Sequence, residues 1–157
     1  TKYTDPFELF YTDEAGDKKS VFMGGYGIGV TRLMGTVVEI LSDDKGIIWP
    51  EAIAPFRVHL LSLGEDEAVM TEANELYETL QKNNIEVFFD DRKEVSAGEK
   101  FADADLLGMP IRVVVSARSL KENGVEVKRR TEEKGSVISK EELLKMLQEN
   151  KEEKNNV

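Results

Sequence analysis

The sequence predicts an α/β fold with a mixed, largely parallel sheet. Between residues 58 and 115, short apolar runs typical of buried strands alternate with segments whose apolar residues recur at helical spacing. Strands and helices that alternate in this way are typical of βαβ units, whose strands lie parallel. Two shorter strands follow around a turn at Gly135, and they make the predicted sheet a mixed one.

The individual elements of this region follow from local patterns. Strands are predicted at residues 58–63, 85–89, 111–115, 125–128 and 136–138. Helices are predicted at residues 67–83 and 100–107, and after a capping box at residues 139–142. Gly108 and Pro110 end the second helix, and the branched residues of 111–115 are typical of a strand covered on both faces. Residues 90–98 are predicted to form a polar loop.

The first part of the chain has a different pattern. Strands are predicted at 7–11 and 20–26 around a turn at 13–17, followed by a helix at 30–41 that the Ser42–Gly46 segment ends. Two strands and a helix with a wide apolar face need a larger partner surface. The sequence therefore predicts two domains, residues 1–49 as part of a larger unit and residues 50–157 as a linker plus an α/β domain.

The composition excludes several classes of site. The chain has 157 residues and no cysteine, which excludes disulfides, thiolate nucleophiles and cysteine zinc sites. Its one histidine, His59, cannot form a histidine metal cluster. No apolar run reaches the roughly 20 residues of a membrane span. No metal ligand set is predicted.

The net charge of −10 does not attract nucleic acid, because contacts with phosphate need a local excess of Lys and Arg. Such an excess exists between residues 112 and 134, where seven basic residues meet four acidic ones. This window is either an ordinary solvated face or a nucleic-acid contact, and composition alone does not decide between them.

The glycine-rich segment at residues 24–32, GGYGIGVTR, is the densest motif. It ends a predicted strand and opens a helix, so that the unpaired N–H groups of the helix start and the side chain of Arg32 favour an anion. A dinucleotide fingerprint would need a third glycine where Arg32 stands, and a P-loop would need G-K-[ST]. A tight turn beside an exposed arginine remains the alternative to a phosphate contact.

Longer segments resemble a known family. FMGGYGIGVTRLM, followed by DDKGIIWPEAIAPFRVHLL, is similar to motif 3 and the following linker of class II aminoacyl-tRNA synthetases, specifically of the bacterial-type prolyl-tRNA synthetases. FFDDRKEVSAGEKFADADLLGMPIRVVV and VEVKRR resemble the C-terminal anticodon-binding domain of that family. The resemblance implies a small three-layer anticodon-binding domain, preceded by a β-hairpin and helix of a class II catalytic domain.

The resemblance assigns roles in the first region. It implies that Arg32, with Gly29, binds ATP phosphates and that Gly25, Tyr26 and Gly27 line the pocket for the amino acid and its adenylate. The family usually has Cys where Gly25 stands. Motif 2, with its own ATP-binding arginine, is absent from these residues, and several cations must share the phosphate charge. The chain alone is therefore expected to be inactive in catalysis.

The resemblance also implies an anticodon site in the second region. Unstacked RNA bases are read by hydrogen bonds to their edges and by stacking on flat side chains, with cations nearby for phosphate. The residues expected to contact the anticodon are Arg92, Lys93, Glu94, Lys100, Asp103 and Lys128. Arg130 is a further candidate on the same basic strand as Lys128.

Several neighbouring residues are given structural roles instead. Phe88 and Phe89 are predicted to be core residues rather than stacking platforms, and His59 to be a structural residue within an apolar strand. Asp90 and Asp91 are assigned to strand-end capping and turn chemistry. Trp49 is expected to anchor the linker.

The function implied by the resemblance is ligation of proline to tRNA-Pro in the cytoplasm, with ATP and Mg²⁺, by a homodimeric parent enzyme without membrane contact. Within that enzyme, these 157 residues would recognise the anticodon. Two alternatives remain. One is a stand-alone module that binds RNA or protein without ligase activity. The other is a threonyl, histidyl or glycyl enzyme, against which the GIIWPEAIAPF linker argues.

Overall fold

A computed structural model describes the backbone of residues 1–152 and the side chains of residues 1–149. The chain divides into two compact units, Thr1–Met34 and Gly35–Val157. The division into domains 1–49 and 50–157 stays a prediction, and residues 153–157 lie outside the described part. No helix among the described residues is both long and apolar enough to span a bilayer.

The first unit holds a short 3-10 turn and a two-stranded hairpin. The turn, Asp5–Phe7, precedes β1 (Phe10–Thr12), which pairs antiparallel with β2 (Lys18–Ser20). The predicted strands at 7–11 and 20–26 are therefore wrong in extent. Glu8 has a φ of 53°, which breaks the extended chain before β1, and β2 loses its partner where that chain turns away.

Helix α1, Val30–Ile40, lies close to the predicted 30–41 and contains no buried residue. Its apolar side chains are largely exposed, as shown by Val30 at 77% and Ile40 at 70%. Two very short strands follow, β3 (Ser42–Asp43) and β4 (Gly46–Ile47), which pair antiparallel. The sequence predicts this segment only as the end of the helix.

The second unit is built on a five-stranded sheet. Its strands are β5 (Val58–Leu63), β6 (Val87–Asp90), β7 (Ile111–Ser116), β8 (Val125–Arg129) and β9 (Ser136–Ile138). They lie in the order β6-β5-β7-β8-β9. Strand β5 pairs parallel with β6 and β7, whereas β8 pairs antiparallel with both β7 and β9. Only β8 therefore runs against the others, which confirms the mixed, largely parallel sheet.

Four helices accompany this sheet: α2 (Glu67–Lys82), α3 (Ala97–Leu107), α4 (Ala117–Lys121) and α5 (Lys140–Glu152). Helix α3 begins three residues before the predicted 100–107, because the Ser96 hydroxyl caps it by accepting from the Glu99 N–H. The predicted capping box of α5 is confirmed by reciprocal bonds between Ser139 and Glu142. Helix α4 is not predicted.

The sheet carries helices on both faces, which gives the expected three layers. The larger core cluster joins one face, through residues such as Leu60 and Val113, to Leu76 of α2 and Leu143 of α5. The smaller cluster joins Leu61 and Val114 on the opposite face to α3. Strand β6 lies on one side of β5 and β7 on the other, so right-handed crossovers place α2 and α3 on opposite faces.

The segment before β5 packs tightly on the end of α3. Gly108 has a φ of 70°, and a Cβ there would lie 1.8 Å from the carbonyl oxygen of Ile47. The indole Nε1 of Trp49 donates to the Leu107 carbonyl at 3.0 Å, which confirms Trp49 as the linker anchor. Asp43 accepts two hydrogen bonds from Arg130, at 2.6 and 2.9 Å.

Candidate functional site

An open cleft lies beside α3 at the edge of the sheet. Its volume is about 290 Å³, and it is lined by His59, Phe88, Phe89, Asp90, Asp91, Arg92, Asp103 and Leu107. Helix α3 packs over β5 and β7, through contacts of Ala104 with Leu61 and Val114. Strand β6 is an edge strand, and its face beside α3 stays open. The order of the strands thus creates the cleft.

The strand register places chemically distinct side chains in one row across this face. Phe88 on β6 is opposite His59 on β5, which is opposite Arg112 on β7. Arg112 is in turn opposite Lys128 on β8. Because side chains alternate between the two faces of a strand, all four belong to the face that α3 packs on. The row runs from an aromatic ring at the sheet edge to two cations.

Arg92 is the best-positioned cation of the cleft. Its Nε and Nη2 donate to the two carboxylate oxygens of Asp90 at 2.9 and 2.7 Å, and Nη2 also donates to Asp103 Oδ2 at 2.6 Å. Hydrogen bonds to these carboxylates raise the pKa of Arg92. The hydrogen bonds that Asp90 accepts from Arg92 lower the pKa of Asp90. The guanidinium is half exposed and is held in one orientation, and Nη1 takes part in none of these three bonds.

Asp90 also shapes the loop. Its Oδ1 accepts from the backbone N–H of Arg92 at 3.2 Å, which confirms the predicted turn chemistry for this residue. Lys100, predicted to contact the anticodon, is only 2% exposed. Its ammonium donates to the carbonyls of Ser62 at 2.8 Å and Asp90 at 3.2 Å, and so joins the carboxyl ends of β5 and β6.

The other predicted residues differ in position. Lys93 and Glu94 are exposed in the loop between β6 and α3, next to the cleft. Lys93 lines a second depression, together with Arg92 and Lys100, beside the start of α3. Lys128 is half-buried on β8 and is not among the described residues that line the cleft. The structure therefore brings Arg92 and Asp103 into direct contact and leaves Lys128 apart.

Much of the basic window is used in internal ion pairs. Arg112 donates to Asp105 at 3.0 Å and lies 4.7 Å from the centre of the Phe101 ring. Arg130, a candidate from the sequence, has a side chain only 6% exposed and is paired with Asp43. Hydrogen bonds and charge from Asp43 raise the pKa of Arg130. These cations stabilise packing, so Arg130 does not present a second wall for RNA.

Two side chains of the cleft were not identified as functional from the sequence. Phe88 is 37% exposed, so its predicted core role is wrong, whereas Phe89 packs against the larger core cluster and Tyr77 as predicted. His59 is 1% exposed, and neither ring nitrogen hydrogen-bonds to any described group. A period-2 reading of Val87, Phe88 and Phe89 against the neighbouring strand could have placed Phe88 beside His59.

In the first unit, the glycine-rich segment lies without regular secondary structure before α1. Arg32 is exposed in the first turn of that helix, and the Gly29 carbonyl accepts from the Leu33 N–H at 2.8 Å. Tyr26 is 99% exposed, and Cβ atoms at Gly25 and Gly27 would meet nothing within 4 Å. The backbone here is open to a ligand. The described residues include no cluster of metal-ligating side chains.

The chain matches known proteins over most of its length. Residues 54–150 match the family model described as "Anticodon binding domain". The "Proline--tRNA ligase" of Halothermothrix orenii is 46% identical over 145 residues, which cover 92% of this chain and 25% of that protein. The "Proline--tRNA ligase" of Persephonella marina is 44% identical over 91% of this chain and 25% of that protein. That of Caldicellulosiruptor bescii is 47% identical over 85% of this chain and 23% of that protein.

These relatives are named for an enzyme that acts on tRNA, and this chain spans about a quarter of their length. The matched segment contains the whole five-stranded sheet, helix α3 and the cleft with Arg92 and Asp103. Within that cleft, hydrogen-bond donors, acceptors and an exposed aromatic ring stand side by side. The chain belongs to the anticodon-binding domain family.

Proposed function

We propose that this chain is the anticodon-reading part of a proline–tRNA ligase and that the cleft beside α3 is where the anticodon binds. The observation that carries the proposal is the arginine clamp in that cleft, where Asp90 and Asp103 hold the half-exposed Arg92 in one orientation. A fixed guanidinium loses less side-chain entropy on binding than a mobile one. The 42–47% identity with proline–tRNA ligases supports proline as the amino acid.

The chemistry of the clamp suits guanine. Proline codons begin with two cytosines, so the anticodon that pairs with them carries two guanines. Guanine presents O6 and N7, which accept hydrogen bonds from arginine. It also presents N–H groups, which donate hydrogen bonds to a carboxylate. Arg92 and Asp103 offer both partners 2.6 Å apart. Lys93 and Glu94 extend this surface, whereas Lys128 lies apart from it on β8 and stays a predicted contact. Lys100 stays a predicted contact, and in this structure its ammonium ties the strand ends that hold Asp90.

The whole protein would join proline to tRNA-Pro with ATP and Mg²⁺, as a homodimer in the cytoplasm. The residues of the first unit fit one part of a nucleotide site: Arg32 is exposed in the first turn of α1, after a backbone open at Gly25 and Gly27. Arg32 and Gly29 would hold a phosphate, and Gly25, Tyr26 and Gly27 would line the amino-acid pocket. ATP, when bound, would supply the adenylyl group that activates the proline carboxylate, with pyrophosphate as the leaving group. This chain alone is not expected to catalyse ligation.

The test is an affinity series with tRNA-Pro transcripts whose anticodon guanines are replaced one at a time by adenine. We expect the 157-residue chain to bind the unaltered transcript about 10- to 150-fold more tightly, which corresponds to one lost hydrogen bond from a charged donor. Arg92→Met should abolish that preference. Arg118→Met is the matched control, because Arg118 is exposed and pairs with Glu122, its neighbour one turn along the chain.

Equal affinity of the unaltered chain for every anticodon would overturn the proposal. That result would favour the alternative in which the domain binds RNA or protein without reading an anticodon. A preference that survives in Arg92→Met would move the reading site away from the clamp.

A further inference from the structure

Two side chains at the inner end of the cleft have properties that the arginine clamp does not use. Phe88 is 37% exposed on the edge strand, and the centre of its ring lies 5.5 Å from that of Phe56 and 4.9 Å from that of His59. Burial of a large aromatic side chain normally stabilises the folded protein, because it removes apolar area from water. A rigid aromatic ring left open beside hydrogen-bonding groups is typical of a stacking surface.

His59 is unusual in the opposite way. It is 1% exposed, yet neither Nδ1 nor Nε2 hydrogen-bonds to a described protein group. A buried polar atom without a partner destabilises the protein by about 1–3 kcal/mol, so such atoms are rare in folded proteins. Because His59 lines the cleft, a ligand in the cleft is well placed to supply the missing partner.

The protonation of His59 fits a neutral ligand. Burial lowers the pKa of His59 to about 4; Asp90 and Asp103 oppose this shift, and Arg112 and Arg92 add to it. The ring is therefore neutral near pH 7 and offers one N–H donor and one acceptor nitrogen. That pair of groups matches the mixed donor and acceptor edge of a nucleobase.

The charges of the cleft favour a base over a phosphate. Among the described residues that line it, Asp90, Asp91 and Asp103 face a single guanidinium, that of Arg92. This arrangement repels a phosphate, whereas carboxylates and a neutral imidazole accept and donate hydrogen bonds to a heterocycle. The volume of about 290 Å³ lies at the small end of ligand pockets, which suits one base rather than a pair.

We propose that Phe88 and His59 form the inner part of a pocket for one unstacked RNA base, which stacks on Phe88 and hydrogen-bonds through its edge to a ring nitrogen of His59. The inference rests on the proposed function and deepens it, because it adds a stacking surface and a second edge-reading group to the clamp at Arg92. Phe88 then contributes affinity by stacking on any base, and the buried His59 contributes to the choice of base through its ring nitrogens.

The first test combines protein variants with abasic anticodon stem-loops. Stacking of one base on an aromatic ring corresponds to a loss of about 5- to 150-fold in affinity when the ring is removed. Phe88→Leu should therefore weaken binding of the intact stem-loop about tenfold. It should cause no further loss with the loop that lacks the stacked base, because the two changes then remove one interaction.

The second test uses His59→Phe, which keeps a ring in the strand and removes both nitrogens. In the free chain this variant should raise the melting temperature, since it removes two unpartnered buried atoms. In the complex it should lower RNA affinity about fivefold or more. His59→Gln, which retains a donor and an acceptor, should recover part of that affinity. A purely structural histidine would not combine a rise in stability with a loss of binding.

Tyr77→Leu is the matched control for both tests. Tyr77 packs against Phe89 in the larger core cluster, so this variant should lower stability and leave RNA affinity within about twofold. One outcome is that the unaltered chain discriminates between anticodons while Phe88→Leu and His59→Phe bind the stem-loop with the affinity of the unaltered chain. In that case the inference fails and the proposed function stands. If the unaltered chain does not discriminate, the proposed function itself fails.

Discussion

The two compact units differ in how they treat apolar residues. In Thr1–Met34, Thr4 is the only buried residue, and side chains such as Phe22 and Tyr26 are exposed by 85% and 99%. In the described part of Gly35–Val157, nineteen apolar residues are buried, and both faces of the sheet are covered. The second unit has its own core, whereas the first carries the apolar pattern of a core without the packing.

A packed core fixes side chains in a way that an exposed hairpin does not. In the second unit, packing on several sides holds each side chain in one position, as at Arg92. In the first unit, the glycine-rich segment and the first turn of α1 are exposed. The roles of Arg32 and the glycines depend on the resemblance and on this exposure. The clamp at Arg92 therefore follows from packing around the sheet, whereas the roles of Arg32 and the glycines follow from the motif.

The largest difference between the units is expected when one glycine of each is replaced by alanine. Gly108→Ala should destabilise the second unit by about 2–5 kcal/mol, because it combines a positive φ of 70° with a Cβ placed 1.8 Å from the Ile47 carbonyl oxygen. In Gly25→Ala, in the first unit, the added Cβ would have no other atom within 4 Å. This variant should change the free energy of unfolding by less than about 0.5 kcal/mol.

Urea unfolding followed by fluorescence of Trp49, the one tryptophan, measures Gly108→Ala, and far-UV circular dichroism, which reports on both units, measures both variants. Trp49 reports on the second unit because it is bonded to Leu107. Similar free energies of unfolding for the two variants would contradict the contrast drawn between the units.

A smaller effect on the stability of the second unit is expected from pH. His59 is the one histidine, and burial lowers its pKa to about 4 from 6.5. Above pH 6.5 the ring is neutral in both folded and unfolded chains, and its contribution to stability is fully present. As the pH falls from 6.5 towards 4, the unfolded chain takes up a proton that the folded chain does not, so stability should decrease by up to about 1.4 kcal/mol per pH unit.

His59→Phe should remove most of that slope between pH 6.5 and about 5, where the carboxylates contribute little. Urea midpoints measured at half-unit intervals of pH provide the comparison. An unchanged slope in the variant would mean that His59 is solvated and titrates normally, and it would also weaken its proposed role in the cleft.

The sequence predicted the regular part of the second unit well. Strand β5 matches the predicted 58–63, and α2 ends one residue before the predicted 67–83, because both have clear periodicity and Asp66 caps the helix. The five-residue α4 was not predicted, since ARSLK is too short and polar to show a helical pattern. The pairing of β3 with β4 depends on packing against α3.

The site was predicted in outline only. Arg92 and Asp103 were named, but their direct contact joins residues from a loop and a helix that the sequence does not align. Lys100 was predicted to contact the anticodon, and its burial against carbonyls at the ends of two strands depends on packing that the sequence does not show. The exposure of Phe88 follows from the edge position of β6, which a continuous apolar run does not reveal.

The most direct test of anticodon reading in the cleft is an NMR titration of the ¹⁵N-labelled chain with the anticodon stem-loop of tRNA-Pro. We expect the changes in amide chemical shift to concentrate between Phe88 and Asp103 and near His59, while the amide shifts of Thr1–Met34 do not change. Shifts centred on residues 24–32, or equal shifts with a loop whose anticodon guanines are replaced, would contradict this expectation.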